Sequence, residues 1–447
     1  ASKAEFICNT TTVLEKNAFG NTQKLVDDQL LRKFRLAIST TGEYTAYHGG
    51  TKADAISAIN ATVTRINEVM ETDLGVTLEL IANNDAVIFT DAATDPYNGN
   101  LNSQVQNTLS TIIGEANYDV GHLFQRDANN GNAGFIGAVC VDNRKGSGFS
   151  SAINPEGDFF DLDFVAHEMG HQFGANHTWS FESEGTGVQA EPGSGSTIMG
   201  YAGIADVNNV ASNGDDYYHY YSIFQITEYL KTTNCAQIIS LTNATPVIVP
   251  MADHVIPKST AFVLTGSASD ADVTDVLTYT WEQIDNGVVT NVIFGPTNPS
   301  GANFRSLKPS TDPKRYFPRL SRVIEGRLTQ SNFALTVRDN AVGGGQVNAE
   351  LVKVNVVNSA GPFVLTSQVT NEVYNAGSVQ EVRWDVANTN TAPVNANTVD
   401  ILLSTDGGLT FPISLANNVS NDGQHSVLLP GNATTTARIM VKASDNI

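Results

Sequence analysis

The chain has 447 residues, more than one hydrophobic core normally serves, so about two or three domains are expected. Its 46 acidic residues against 25 basic ones leave a net charge of −21, which argues against nucleic acid or an anionic membrane surface as a partner and favours solubility and bound cations. No apolar run approaches the roughly 20 residues of a membrane span, and no basic segment followed by an apolar core opens the chain. It therefore reads as a processed or trimmed secreted protein with no membrane insertion.

Arg32 to Thr40 (RKFRLAIST) reads as a strand. Thr51 to Glu71 has helical spacing, with Ala55, Ile56, Ile59, Val63, Ile66 and Met70 along one face, and VTLELI is the next strand. Leu101 to Ile113 reads as a second helix, followed by the strand YDVGHLF. A further helix is expected over about Leu162 to Phe173, with acidic Asp158, Asp161 and Asp163 at its N-terminal side, and a closing helix over Asp216 to Thr232. This alternation of strand and helix predicts an α/β unit with a mixed sheet and long helices.

The third helix carries HEMGHQFGANH. His167 and His171 lie four apart, on one face and about 6 Å apart along the axis, so both imidazoles can reach one zinc ion. Glu168 stands beside the first ligand, where a carboxylate can serve a zinc-bound water. Gly174 can take a positive φ, which ends the helix and turns the chain back so that His177 becomes the third ligand. Three protein ligands leave a fourth tetrahedral position open, as in a catalytic zinc. The full pattern would arise by accident roughly once in ten thousand chains of this length.

With these residues the chain resembles the metzincin metallopeptidases, whose motif HExxHxxGxxH precedes a methionine-containing turn; SGSTIMGYAG would supply Met199 as the floor beneath the ligands. Within that clan HEMGHQFGANH, YDVGHLF and GFIGAVC are similar to the adamalysin or reprolysin subgroup, in the secreted bacterial multidomain form. Thr178 departs from the Asp usual after the third histidine. Tyr201 stands where other metzincins place a tyrosine that ligates zinc or donates to the oxyanion; a packed aromatic is the competing reading. The resemblance makes Gly134, Phe135, Ile136 and Gly137 part of the edge strand on which substrate would lie. It also implies a Cys140–Cys235 disulfide, against two free thiols, and hence an oxidising compartment. Cys8 is then left over, either as a small buried residue or as an inhibitory zinc ligand in a retained piece of propeptide. His122 and His219 read as structural.

Beyond about Leu241 the helical periodicity ends. AFVLTGSASDAD, LTYTWEQID, FALTVRDN and LVKVNVV read as strands of one β-sandwich, and PFVLTSQ, QEVRWDVAN, TVDILLSTDGG, HSVLLP and ARIMVKA as a second; both resemble Ig-like and cadherin-like modules. The expected organisation is an N-terminal extension or propeptide remnant (1–31), a metzincin catalytic domain (32–244) and two Ig-like sandwiches (245–358 and 359–447). The acidic balance adds calcium to the expected cofactors, with Asp270, Asp272 and Asp275 as candidate ligands and Asp95, Asn98 and Asn100 as a second grouping.

The predicted function is a secreted, extracellular, monomeric zinc endopeptidase acting on protein or peptide substrates, with Glu168 as general base and then general acid. The alternative is an adhesion or carbohydrate-binding protein with an inactive peptidase-like head, whose expected mark would be loss of Glu168 or of a histidine.

Overall fold

The computed structural model describes Cys8, Thr10 and residues 25–291, 300–318 and 331–447. Residues 1–7, 9 and 11–24 of the N-terminal extension expected over 1–31 lie outside the described residues, whereas Leu25 and Val26 are packed into the first core.

A six-stranded sheet organises the N-terminal half. It contains β1 (Leu30–Thr40), β2 (Val76–Leu80), β3 (Val120–Gln125), β4 (Asn130–Asn132), β5 (Gly148–Ser151) and β6 (Gln237–Ser240), in the order β2-β1-β3-β5-β4 with β6 also on β1. The pairs β1–β2, β1–β3 and β3–β5 are parallel, while β4 and β6 run antiparallel to their neighbours. A parallel strand covered on both faces needs a nearly continuous apolar run, and the second half of β1, LAIST, is buried throughout.

Short α1 (Gly42–Tyr47) leads into α2 (Lys52–Leu74). A reciprocal capping box between Thr51 and Asp54 starts α2, and left-handed Gly75 ends it. Its buried face carries Ala55, Ile59, Val63, Ile66 and Met70, as the spacing predicts; Ile56 is only partly covered. Then come α3 (Leu101–Ile112), the histidine-bearing helix and α6 (Tyr220–Leu230). The histidine-bearing helix begins earlier than expected. It runs from α4 (Asp158–Phe160) through a wider π-helical stretch, Asp161–Ala166, into α5 (His167–Gln172).

One expected strand is absent. Residues 134–137 form bends and turns, with Gly134 at φ 76° and Gly137 at φ 71°, and the edge strand is β4, just upstream. The reason lies in the end of α5, whose last carbonyls need donors. Gly137 N–H donates to His171 O at 2.9 Å, while Ala138 and Val139 N–H donate to Gln172 O at 2.8 and 3.1 Å. Those donors are therefore committed to the helix. The Cys140–Cys235 disulfide is present, with Cα atoms 5.6 Å apart, and ties this turn to the segment before β6.

The remaining described residues form two units of strands and loops. In the first, β11 (Thr278–Gln283), β13 (Ser331–Arg338), β14 (Val347–Val357) and β8 (His254–Pro257) make a four-stranded sheet. The pairs β12 (Lys314–Phe317) with β9 (Phe262–Thr265), and β10 (Ala268–Ser269) with β7 (Val247–Ile248), complete it. The second unit has β15 (Val364–Leu365), β16 (Val379–Asp385) and β19 (Gln424–Leu428) in one sheet, and β18 (Ile413–Ser420), β17 (Thr398–Ser404) and β20 (Arg438–Ala443) in another. The second unit buries Val382, Trp384, Val399, Ile401 and Val427 in a core of its own.

The first β unit is not a separate bead. Ile284, Ala334, Val347 and Ala349 belong to the same buried cluster as the helices of the N-terminal half. Arg338 at the end of β13 pairs with Asp73 of α2 at 2.5 Å, both side chains almost fully buried, and also donates to Tyr218 O and Thr280 Oγ1. Removing one member of a buried ion pair strands the other charge. Replacing Arg338 with Met should cost about 3–5 kcal/mol. Urea unfolding should show the N-terminal half and the first β unit lost in one transition. A cost under about 1 kcal/mol, the range of an exposed pair, would contradict this role.

Candidate metal centre

His167, Glu168 and His171 all lie on α5 and are fully buried. Gly174, at φ 109°, turns the chain after the helix, and Ala175 N–H reaches back to Gly170 O at 2.9 Å. His177 returns to the other two histidines by this route, with its Nε2 at 3.0 Å from that of His171. One ligand atom each from Cys8, His167, His171 and His177 lies within 4.8 Å of the others.

The outer nitrogens decide what these rings can do. Nδ1 of His167 lies 2.7 Å from Ile198 O, and Nδ1 of His171 lies 2.7 Å from Ala175 O. A carbonyl only accepts, so each Nδ1 carries the proton and each Nε2 presents a lone pair inward. Nδ1 of His177 lies 2.8 Å from Glu184 Oε1, a carboxylate acceptor. Lone pairs of His171 and His177 facing each other across 3.0 Å repel unless a cation lies between them. Burial, aided by the other rings, holds His167 down to about 3 and His171 well below its ordinary value, which keeps both neutral. The donor set fits a zinc ion.

Below the rings, Met199 is fully buried, and its sulfur sits so close to Gly170 that a side chain there would collide with it. The family model described as metallo-peptidase family M12B, reprolysin-like, matches residues 31–230.

Residues 31–230 match the reprolysin-like metallopeptidases.

No curated protein matches the chain significantly. Among solved structures, the chain is similar to titin domains Z1Z2 in complex with telethonin, with 14% identity over 46% of this chain and 92% of that one at a TM-score of 0.16. Chicken CNTN1 FN1–FN3 domains match at 14% identity over 47% and 67%, with a TM-score of 0.18. Drosophila OTK extracellular domains 3–5 match at 8% over 46% and 62%, with 0.15. At these scores none of them bears on the fold.

In the reprolysin-like domain Glu168 is fully buried, and burial pushes its carboxyl up to about 8 against the hydrogen bonds from Cys8 and Thr10. Thr10 Oγ1 donates to Glu168 Oε2 at 3.2 Å and accepts from Ala133 N–H at 2.9 Å, while Cys8 forms a parallel bridge with Gly131 of β4. Cys8 Sγ lies 3.7 Å from His171 Nε2. Tyr201 is hydrogen-bonded with Cys8, and its ring lies 4.8 Å from that of His177 and 5.2 Å from that of Trp179. Trp179 in turn stacks on Phe181 at 4.2 Å, so an aromatic wall flanks the third ligand.

His122 and His219 are structural. His122 lies between Gln172 Oε1 and Ser150 Oγ, and burial holds it down to about 4; His219 Nδ1 accepts from Tyr221 N–H at the start of α6. Glu184 and Thr10 join the site without a mark in the sequence. They lie in stretches without periodicity, and nothing in their spacing marks them.

The acidic candidates regroup. Asp270, Asp275 and Asp339 bring carboxylate oxygens within 4.8 Å of one another, whereas Asp272 Oδ2 accepts from Ala244 N–H at 2.7 Å. Asp339 enters from the end of β13, far away in sequence, and the expected trio is corrected accordingly. Asp95 accepts from Gly42 and Tyr97 N–H, Asn98 from Gln104, and Asn100 caps α3, so that second grouping is spent on local structure.

Proposed function

We propose that the chain is a secreted zinc-dependent endopeptidase that hydrolyses peptide bonds of extracellular proteins. The observation that carries this reading is the convergence of three buried imidazole lone pairs beside a buried glutamate, in a domain matched to the reprolysin-like family. The intact donor set counts against an inactive, purely adhesive head.

His167, His171 and His177 would hold the zinc. Zinc, when bound, supplies Lewis acidity toward a peptide carbonyl and lowers the pKa of water toward 7. Glu168 takes the proton from the attacking water and returns it to the leaving amine. The edge of β4 offers main-chain groups to an extended substrate, replacing residues 134–137 in that role. Tyr201 donates its hydroxyl to the oxyanion when released from Cys8.

Residues 8–10 would then be a blocking segment, since Cys8 points at the histidines and Thr10 covers both Glu168 and the strand edge. Extracellular location is supported by the Cys140–Cys235 disulfide. Among the described residues no helix is long and apolar enough to cross a membrane. The reading includes a monomeric, bacterial multidomain enzyme with a catalytic domain over 32–244 and Ig-like units over 245–358 and 359–447. It also includes calcium at Asp270, Asp275 and Asp339, where Asp270 Oδ2 and Asp275 Oδ2 are buried without a hydrogen-bond partner among the described residues.

Three measurements check this reading. Zinc chelation should abolish cleavage of a peptide library, and Glu168→Gln should retain zinc while losing about 10²- to 10⁴-fold in turnover; a Gln variant with parental turnover would overturn the mechanism. Cys8→Ser should cleave faster than the parent chain before any N-terminal processing, and equal rates would reduce Cys8 to a packed residue. Calcium added to the chelated protein at fixed zinc occupancy should raise the melting temperature, and Asp339→Asn should abolish that rise. No change on adding calcium would remove calcium from the reading.

A further inference from the structure

Glu191 is fully buried in the loop between His177 and Met199, and the reading above assigns it nothing. Its carboxylate accepts four hydrogen bonds. Oε2 takes the hydroxyls of Thr178 at 2.6 Å and Thr197 at 2.5 Å, and Oε1 takes the N–H groups of Ser196 at 2.9 Å and Thr197 at 3.3 Å. Among the described residues no ion pair to it occurs, so hydrogen bonds to the charged form must offset its burial.

The donors come from two particular places. Thr178 directly follows His177, and Glu191 N–H also donates to Thr178 O at 2.9 Å. Ser196 and Thr197 directly precede Ile198, whose carbonyl holds Nδ1 of His167, and Met199, which underlies Gly170. One carboxylate thus joins the segment that delivers the third histidine to the turn that orients the first. His167 and His177 lie ten residues apart in sequence and belong to different elements, and this connection runs through side chains as well as the main chain.

We propose that Glu191 is a positioning residue that sets the relative placement of His167 and His177, and so the metal affinity of the site, through Thr178 and the Ser196–Thr197 pair. The proposal rests on the zinc reading of the three histidines. Removing an outer partner of a ligand typically costs about 10- to 100-fold in metal affinity. A residue serving only the fold would lower the melting temperature and leave metal binding alone.

The test uses the full chain carrying Cys8→Ser, with Glu191→Gln to remove the charge at nearly constant volume and Thr178→Val to remove one donor. Zinc affinity is read by chelator competition, the ligand field by the visible spectrum of the cobalt-substituted protein, and stability by melting the metal-free protein. Glu191→Gln should bind zinc about 10- to 100-fold more weakly, with an altered cobalt spectrum. Thr178→Val should shift both in the same direction by less, and the double variant should fall short of the product of the single effects. Should Glu191→Gln fail to fold, Thr178→Val carries the test alone. Parental zinc affinity and an unchanged cobalt spectrum in a folded variant would overturn the proposal while leaving the zinc reading intact. Failure of the Cys8→Ser chain itself to take up zinc would overturn the reading beneath it.

Discussion

Each of three imidazoles spends its Nδ1 proton on a protein oxygen, and much of the surrounding structure serves to put those oxygens in place. Ala175 O is supplied by the turn at Gly174, Ile198 O by the methionine turn, and a Glu184 oxygen by the loop between them. Three separate segments therefore converge on one constraint: the rings must stay neutral with their lone pairs inward. Such convergence is expensive without a cation, because lone pairs at this range repel in a medium that screens poorly. A metal turns the same convergence into a binding site.

The loop that supplies two of these oxygens leans on the first β unit. Val289 N–H donates to Ser180 O at 2.7 Å, Gly193 N–H donates to Val289 O at 2.9 Å, and Ser196 Oγ donates to Ser306 O at 3.1 Å. Glu282 of β11 accepts from Tyr220 N–H at the start of α6, meeting one of the donors a helix N-terminus leaves open. With the Arg338–Asp73 pair, these contacts make the first β unit part of the support for the metal centre. The second β unit has its own core and does not share in it.

The chain around Cys8 and Thr10 addresses three features at once: a metal-facing nitrogen, the carboxylate of Glu168 and a main-chain donor at the strand edge. Those are the same features a peptide substrate would need. On the proposed reading, a segment that satisfies them from within would compete with substrate by occupancy.

Much of this was legible in the residues themselves. Periodicity over 51–71 placed α2, whose structure runs Lys52–Leu74; the offsets of His167, His171, Gly174 and His177 described the ligand set because four-residue spacing and one left-handed glycine are local geometry. The β strands with strong alternation were legible for the same reason, whereas β18, with the polar run LANNVS, was not. What local pattern could not decide was who uses a donor. GFIGAVC has the composition of a strand, but its N–H groups close the end of α5 instead, so the edge passed to Asn130–Asn132. Asp339 displaced Asp272 from the acidic cluster, Glu184 reached His177, and Glu191 joined two turns. Each of these depends on which distant backbone arrives nearby, and hydrogen bonds between segments are set by the packing of the whole chain. The sequence by itself determined the candidate ligand set and the helix that carries two of its histidines. Only the tertiary structure decided which oxygens hold the three histidines, which strand forms the sheet edge beside them, and that the first β unit is built into the N-terminal half.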